Sequence, residues 1–144
     1  MGTTLTLAYI FENNIYIGHI GDSRVYYIND ENIIQVTEDH SLVNELVKKG
    51  CITMEEGRKH PQKNMITRAV GTSIDIEVDI FVLEYQSNDI LLLCSDGLSD
   101  MLDDKDIYNI VKNSDSMDII SNKLINEAKS NGGLDNITVI GIKL

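Results

Sequence analysis

The chain has 144 residues, which is enough for one domain with a substantial core and too few for two. Its formal net charge is −11, from 23 acidic and 12 basic residues, and this charge argues against nucleic acid or an anionic membrane as the main partner. Such a charge suits a cation-binding protein and suits an ordinary acidic surface equally well. No apolar run approaches membrane-spanning length, and the N-terminus lacks a secretory signal pattern.

The cysteines indicate a cellular compartment. Cys51 and Cys94 have neither the number nor the spacing of a disulfide framework or a zinc site. We therefore expect free thiols in a reducing, cytoplasmic environment.

The first part of the chain predicts antiparallel strands. Residues 4–11 and 15–20 are rich in β-forming side chains and flank a short polar turn, which predicts a β-hairpin. Residues 25–28 and 33–36 predict two further strands around a second polar turn. The simplest interpretation is a meander of antiparallel strands.

The pattern changes to a helical one after residue 40. Apolar side chains recur at helical spacing over residues 42–47. Thr53 and Glu56 form the sequence pattern of a capping box, which predicts a short helix that ends before Pro61. Residues 62–73 show no strong period and predict a long irregular excursion.

The second half contains the strand around which the chain is organised. Residues 90–94 are continuously apolar, which predicts a strand buried on both faces, and residues 76–82 predict a half-buried strand before it. Residues 103–112 and 116–130 predict two amphipathic helices, and residues 137–144 a closing strand. The order of elements predicts an α+β fold with a mainly antiparallel sheet.

Aspartates stand at the ends of predicted strands. Asp22 and Asp96 each follow a strand in a short segment of small residues, and Asp135 precedes the last strand. Strand ends can converge at one edge of a sheet, and hard cations such as Mg²⁺ or Mn²⁺ prefer oxygen ligands. Each aspartate alone is more typical of a turn than of a metal site. The histidines are not in zinc spacing; His60 is more typical of packing or capping, and Arg68 of an exposed cation.

A series of motifs in order along the chain resembles the protein phosphatase 2C (PPM) family, and specifically the C-terminal portion of its compact bacterial members. The motifs occupy residues 1–5, 18–26, 37–43, 50–56, 60–61, 64–71, 94–100 and 133–138. No single motif is specific, whereas the ordered series is.

The resemblance implies a fold and a set of site residues. The fold is an antiparallel β-sandwich flanked by helices, a four-layer αββα arrangement, with residues 1–144 as one partial domain and residues 40–70 as a flap beside the active site. Asp96 and Asp135 match carboxylates that hold a metal of the catalytic pair. Asp22 and Asp100 match positions that, with Asp96, hold an additional, weaker metal.

The resemblance also implies an activity. It is the hydrolysis of phosphoserine and phosphothreonine by a water bound between Mn²⁺ or Mg²⁺ ions, which lower the pKa of that water and stabilise charge on the phosphoryl oxygens. The implied partners are phosphorylated proteins, typically those of a Ser/Thr kinase.

The sequence departs from the family at its N-terminal side. It contains neither the arginine that grips phosphate nor the Asp-Gly-x-Gly-Gly motif whose aspartate bridges the two metals. We therefore expect a fragment or a degenerate gene product with exposed sheet edges, weak metal binding and little turnover by the chain alone. Two alternatives stay open: a non-catalytic, phosphatase-like binding or regulatory domain, and an acidic α+β domain that binds no metal.

Overall fold

A computed structural model describes residues 1–144. The seven strands are β1 (Leu5–Phe11), β2 (Asn14–Ile20), β3 (Arg24–Ile28), β4 (Ile33–Gln35), β5 (Asp79–Glu84), β6 (Ile90–Cys94) and β7 (Val139–Lys143). The five helices are α1 (Leu42–Lys48), α2 (Met54–Arg58), α3 (Asp96–Ser99), α4 (Asp104–Lys112) and α5 (Met117–Ser130).

The strands form two antiparallel sheets. One sheet has three strands in the order β1-β2-β5, and the other has four in the order β4-β3-β6-β7. The α+β class with antiparallel sheets is therefore confirmed. The single meander is wrong, because the chain leaves the first sheet after β2 and enters the second at β3, crossing at residues 21–23.

One buried cluster joins the two sheets. It contains Ile15 and Ile17 of β2, Val25 and Tyr27 of β3, and Leu91 of β6. Alternate side chains of a strand point to opposite faces of the sheet, so the other side chains of β3 and β6 point away from the three-stranded sheet and belong to a second cluster.

The second cluster lies between the four-stranded sheet and the helices. It joins Tyr26 and Leu92 of the sheet to buried side chains of α3, α4 and α5, namely Leu98, Ile107, Val111, Ile120, Leu124 and Ala128. Leu91 and Leu92 are both fully buried, although they are consecutive, so β6 is covered on both faces as the sequence predicts.

The outer face of the three-stranded sheet is apolar and uncovered. The register places Leu7 opposite Gly18 and Tyr9 opposite Tyr16, with β5 continuing the same face. Its exposed large side chains are Leu5, Leu7, Tyr9, Phe11, Tyr16, Ile80 and Val82. This chain thus supplies three of the four layers that the resemblance implies: the helical layer and the two sheets.

A helical excursion, residues 42–65, separates β4 from β5. Antiparallel bridges join Ser41 to Ile66 and Thr3 to Val70, so the excursion leaves and rejoins the sandwich at neighbouring points. The capping box of Thr53 and Glu56 is present in α2. Strand β5 begins at Asp79, three residues later than predicted, where its pairing with β2 begins.

Candidate metal centre

The register of the four-stranded sheet brings three aspartates together where strands β3, β6 and β7 begin or end, on one side of the sheet that we call the metal edge. Arg24 at the start of β3 is opposite Cys94 at the end of β6, and Cys94 is opposite Val139 at the start of β7. Asp22 precedes β3, Asp96 follows β6 and Asp135 precedes β7, so all three occupy the same end of the sheet. Asp100 follows one helical turn after Asp96, at the end of α3.

Ser95 joins the Asp96 and Asp135 segments. Its hydroxyl donates to the carbonyl of Asn136 at 3.1 Å and accepts from the amide of Thr138 at 3.0 Å. Its backbone amide also donates to the carbonyl of Thr138 at 3.1 Å. These three hydrogen bonds fix the position of one aspartate-bearing segment relative to the other.

The third segment turns at Gly21. This residue has φ +113°, a conformation that L side chains rarely adopt, and a β-carbon there would overlap the side chain of Thr4. The turn is completed by Ser23, whose hydroxyl lies 3.1 Å from that of Thr4. The backbone therefore delivers Asp22 to the edge in a conformation that only glycine at position 21 permits easily.

The carboxylates interact with one another. Burial raises the pKa of Asp22 to about 6, with further upward contributions from the charges of Asp96, Asp39 and Asp100. Burial also raises the pKa of Asp96, followed by the charges of Asp135 and Asp100. Negative charge at this edge is thus destabilised by the protein itself, and a bound cation would relieve it.

Partners for these carboxylates are few. Asp22, Asp96 and Asp135 form no salt bridge, whereas Asp100 pairs with Lys63 at 2.7 Å. The ammonium of Lys63 also opposes the rise in the pKa of Asp96, after the larger upward effects of burial and of Asp135 and Asp100.

The carboxylates do not form a closed coordination sphere. No three side chains of His, Cys, Asp or Glu converge closely enough to hold one ion. Carboxylates spread over one edge still fit Mg²⁺ or Mn²⁺, since these ions take oxygen ligands and retain several waters between them. The residues present therefore fit a hydrated divalent ion and do not fit zinc held by histidine and cysteine.

A cleft of about 510 Å³ lies between the helical excursion and helices α3 and α4. The excursion contributes Arg58 and Lys63 to its lining, and the opposite wall contributes Asp100. Arg24 also lines the cleft. Its guanidinium forms bidentate hydrogen bonds to Asp39 at 2.9 Å (Nε–Oδ1) and 2.6 Å (Nη2–Oδ2). Asp100 lines the cleft, and Asp96 lies one helical turn before it in α3.

Sequence reasoning missed a polar network beneath this edge. His40 lies between Gly21 and Asp79, and Asp79 also accepts a hydrogen bond from Arg68 at 2.8 Å. His40 and Asp79 are 39 positions apart, so no local pattern links them. Arg68 is a partly exposed cation, with 37% of its side chain accessible, and it is also paired with Asp79. His60 has the local role expected, since its Nδ1 accepts from the amide of Gln62.

The chain belongs to the protein phosphatase 2C family, whose model matches residues 1–129. It is 44% identical over 140 residues to the serine/threonine phosphatase stp of Listeria welshimeri, covering 97% of this chain and 56% of that protein. The chain thus spans about half the length of the curated relatives that it matches.

Solved structures show the same fold. The serine/threonine phosphatase Stp1 of Staphylococcus aureus superposes with a TM-score of 0.95 at 39% identity, over 98% of this chain and 56% of that one. The catalytic domain of the phosphatase PstP, solved with two manganese ions, superposes with a TM-score of 0.88 at 37% identity, over 97% of this chain and 57% of that one.

None of the five helices combines the length and apolar composition needed to cross a bilayer.

Proposed function

We propose that this chain is part of a metal-dependent protein serine/threonine phosphatase and contributes to its divalent metal centre. The observation that carries the proposal is the register of β3, β6 and β7, which gathers Asp22, Asp96 and Asp135 at one edge. Family membership supports the reaction class, and the phosphatases named above support phosphorylated proteins as substrates. The proposed location is the cytoplasm, where the free thiols of Cys51 and Cys94 persist.

The four aspartates have separate roles in this proposal. Asp96 and Asp135 hold an ion of the catalytic pair, and Asp22 and Asp100 join Asp96 at an additional, weaker site. Bound Mn²⁺ or Mg²⁺ supplies an activated water and stabilises charge on phosphoryl oxygens. The protein's own contribution is to hold these carboxylates at a partly buried edge, where their mutual repulsion favours cation binding.

The cleft beside Asp100 is the proposed route for a phosphorylated segment. Arg58 lines the side formed by the excursion and forms no salt bridge, so its charge suits a dianionic phosphate, whereas Lys63 on the same side is paired with Asp100. We keep residues 40–70 as the flap of a single partial domain spanning residues 1–144. Lys63 links that flap to the metal edge through Asp100.

A titration of the 144-residue chain with Mn²⁺, followed by calorimetry, tests the proposal. We expect weak binding that is lost in Asp96→Asn and retained in Asp118→Asn, a matched control in the first turn of α5. Little hydrolysis of p-nitrophenyl phosphate is expected from the chain alone, because the sequence contains no Asp-Gly-x-Gly-Gly motif for the bridging aspartate. Equal Mn²⁺ affinity in both variants would contradict the proposal.

The absence of any closed group of three ligands favours a second candidate, a phosphatase-like binding or regulatory domain without turnover. Joining this chain to the remaining part of a relative's domain separates the two functions. Robust Mn²⁺-dependent hydrolysis by the joined protein supports the phosphatase. Correct folding with Mn²⁺ bound but no hydrolysis supports the regulatory domain.

A further inference from the structure

His40 contacts the peptide groups of Gly21 from two directions. The amide of Gly21 donates to Nδ1 of His40 at 3.1 Å, and the amide of His40 donates to the carbonyl of Gly21 at 2.8 Å. The side chain of His40 is only 5% exposed, so neither hydrogen bond competes freely with water. Gly21 directly precedes Asp22 in the turn that crosses between the sheets.

We propose that His40 is a positioning residue for the metal centre: it holds the Gly21 turn in the conformation that presents the Asp22 carboxylate to the metal edge. This inference rests on the proposed function, because Asp22 is there a ligand. His40 itself contacts neither substrate nor metal.

The hydrogen bonds define the protonation pattern of His40. A backbone amide can only donate, so Nδ1 of His40 must be the acceptor. Nε2 of the neutral ring then carries the hydrogen and donates to Oδ2 of Asp79 at 3.0 Å. A carboxylate on one ring nitrogen thus fixes the lone pair of the other toward Gly21, as such partners orient histidines elsewhere.

The carboxylate that orients His40 is itself fixed. Oδ1 of Asp79 accepts from Nη1 of Arg68 at 2.8 Å, which leaves Oδ2 for the histidine. Asp79 is the first residue of β5 and is opposite His19 in the register with β2. The chain of contacts therefore runs from Arg68 through Asp79 and His40 to the backbone beside Asp22.

His19 restricts the ring of His40 from the other side. The two rings lie 5.0 Å apart, and His19 is fully buried. Its Nε2 faces the carbonyl of Glu38 at 3.1 Å and its Nδ1 faces the hydroxyl of Thr6 at 3.0 Å, so this ring is also held at both nitrogens. A rotation of His40 away from Gly21 would have to displace this second ring.

Substitutions that replace only one of the two ring nitrogens of His40 distinguish their roles and test the proposal. In His40→Asn the amide oxygen replaces Nδ1 and can still accept from Gly21, whereas in His40→Gln the longer amide replaces Nε2 and reaches only Asp79. We expect His40→Gln and His40→Ala to weaken Mn²⁺ binding by the 144-residue chain about 10-fold, the lower end of the effect of removing outer contacts of metal ligands. We expect His40→Asn to restore affinity to within about 3-fold of the unsubstituted chain.

Thermal unfolding of each variant in EDTA distinguishes positioning from a structural role. If Mn²⁺ affinity follows the unfolding temperature and not the presence of an acceptor for Gly21, the proposal is wrong. If Asp22→Asn weakens Mn²⁺ binding while His40→Ala and His40→Gln do not, the positioning role is overturned and the proposed function stands. If the unsubstituted chain and Asp22→Asn bind Mn²⁺ equally, the ligand role of Asp22 and the positioning role of His40 are both overturned, while Asp96→Asn tests the catalytic-pair ion separately. If the unsubstituted chain binds no Mn²⁺ at all, the proposed function fails and the positioning role fails with it.

A measurement on the unsubstituted chain covers the case in which the variants do not fold. Long-range ¹H–¹⁵N spectra of the histidine rings report which nitrogen carries the hydrogen. We expect an unprotonated Nδ1 on His40 that shares a hydrogen-bond coupling with the amide of Gly21. A hydrogen on Nδ1 would overturn the proposal without any variant.

Discussion

Gly97 and Asn136 approach each other so closely that a β-carbon at position 97 would overlap the carbonyl oxygen of Asn136. The contact joins the first turn of α3 to the segment that carries Asp135. The segments that carry Asp96 and Asp135 can therefore approach each other this closely because Gly97 has no side chain.

The Gly97→Ala substitution should disturb this contact. The added methyl group has to push the two backbone segments apart, and overpacking of this kind costs about 1–3 kcal/mol in the free energy of unfolding. We expect lower stability in chemical denaturation and weaker Mn²⁺ binding. Gly18→Ala is the matched control, because a β-carbon there meets only side-chain atoms at 3.8 Å or more. Equal losses in both variants would show that the contact with Asn136 has no special role.

Neutralising Asp22 should stabilise the metal-free chain at neutral pH. Its pKa is raised from 3.8 to about 6, so the folded chain binds more protons than the unfolded chain between these values, and stability falls as pH rises through that window. Above pH 6 the whole destabilisation is present. We expect Asp22→Asn to raise the free energy of unfolding at pH 7.5 in EDTA by on the order of 1 kcal/mol after allowance for solvent screening.

The same substitution should have no stabilising effect at about pH 2.5, which lies well below both the ordinary pKa of 3.8 and the raised pKa, so that the carboxyl group is protonated in both states. Denaturation at the two pH values checks this prediction. In the presence of Mn²⁺ the variant should be less stable than the parent chain, because the bound ion adds less to its free energy of unfolding. A variant that is less stable than the parent chain at pH 7.5 in EDTA would contradict it.

The uncovered face of the three-stranded sheet should make the isolated chain associate. Seven large apolar side chains are exposed on this face, and monomeric soluble proteins rarely expose large apolar side chains as one contiguous patch. We expect Leu7→Lys to shift the chain toward the monomer in analytical ultracentrifugation without lowering its unfolding temperature. Ile34→Lys is the control, because Ile34 is similarly exposed but lies on β4 of the other sheet. If both variants associate like the parent chain, this face is not the contact.

The two thiols should differ sharply in reactivity. Burial raises the pKa of Cys94 to about 12, whereas Cys51 is exposed in the helical excursion. Because the thiolate is the reactive form, iodoacetamide at pH 8 should modify Cys51 in the native chain and reach Cys94 only in denaturant. Mass spectrometry of the labelled peptides checks this. Modification of native Cys94 at a comparable rate would mean that β6 opens readily.

The pattern of neighbouring residues in the sequence was sufficient to predict most of the helices and strands. The apolar run at 90–94 predicted β6, and the pairing of Thr53 with Glu56 predicted the start of α2, because both signals come from neighbouring residues. The position of the aspartates at strand ends also followed from sequence. Their arrival at one edge depends on the register of Cys94 with Arg24 and Val139, which the sequence does not encode locally.

Sheet membership and contacts between residues far apart in the chain could not be predicted from local pattern. A pattern of alternating side chains indicates a strand but does not indicate the sheet that it joins. The sequence therefore predicts a turn within one meander at residues 21–23, where the chain crosses between the sheets. The network from Arg68 through Asp79 to His40 joins three segments whose contacts exist only after folding. Such contacts leave no periodic signal, so the sequence does not predict that Arg68 pairs with Asp79.

The ends of the helical excursion are joined by a hydrogen bond between its own first and last residues and by another between the residues that flank it. Leu42 donates to the carbonyl of Met65 at 2.9 Å, and Thr67 donates to that of His40 at 2.8 Å, while α1 buries none of its residues. The excursion therefore departs and returns at neighbouring points, beside the bridge between Ser41 and Ile66. Because these joining hydrogen bonds lie outside the registers of β3, β6 and β7, exchanging the segment between Ser41 and Ile66 would leave the strand pairing that gathers the aspartates unchanged.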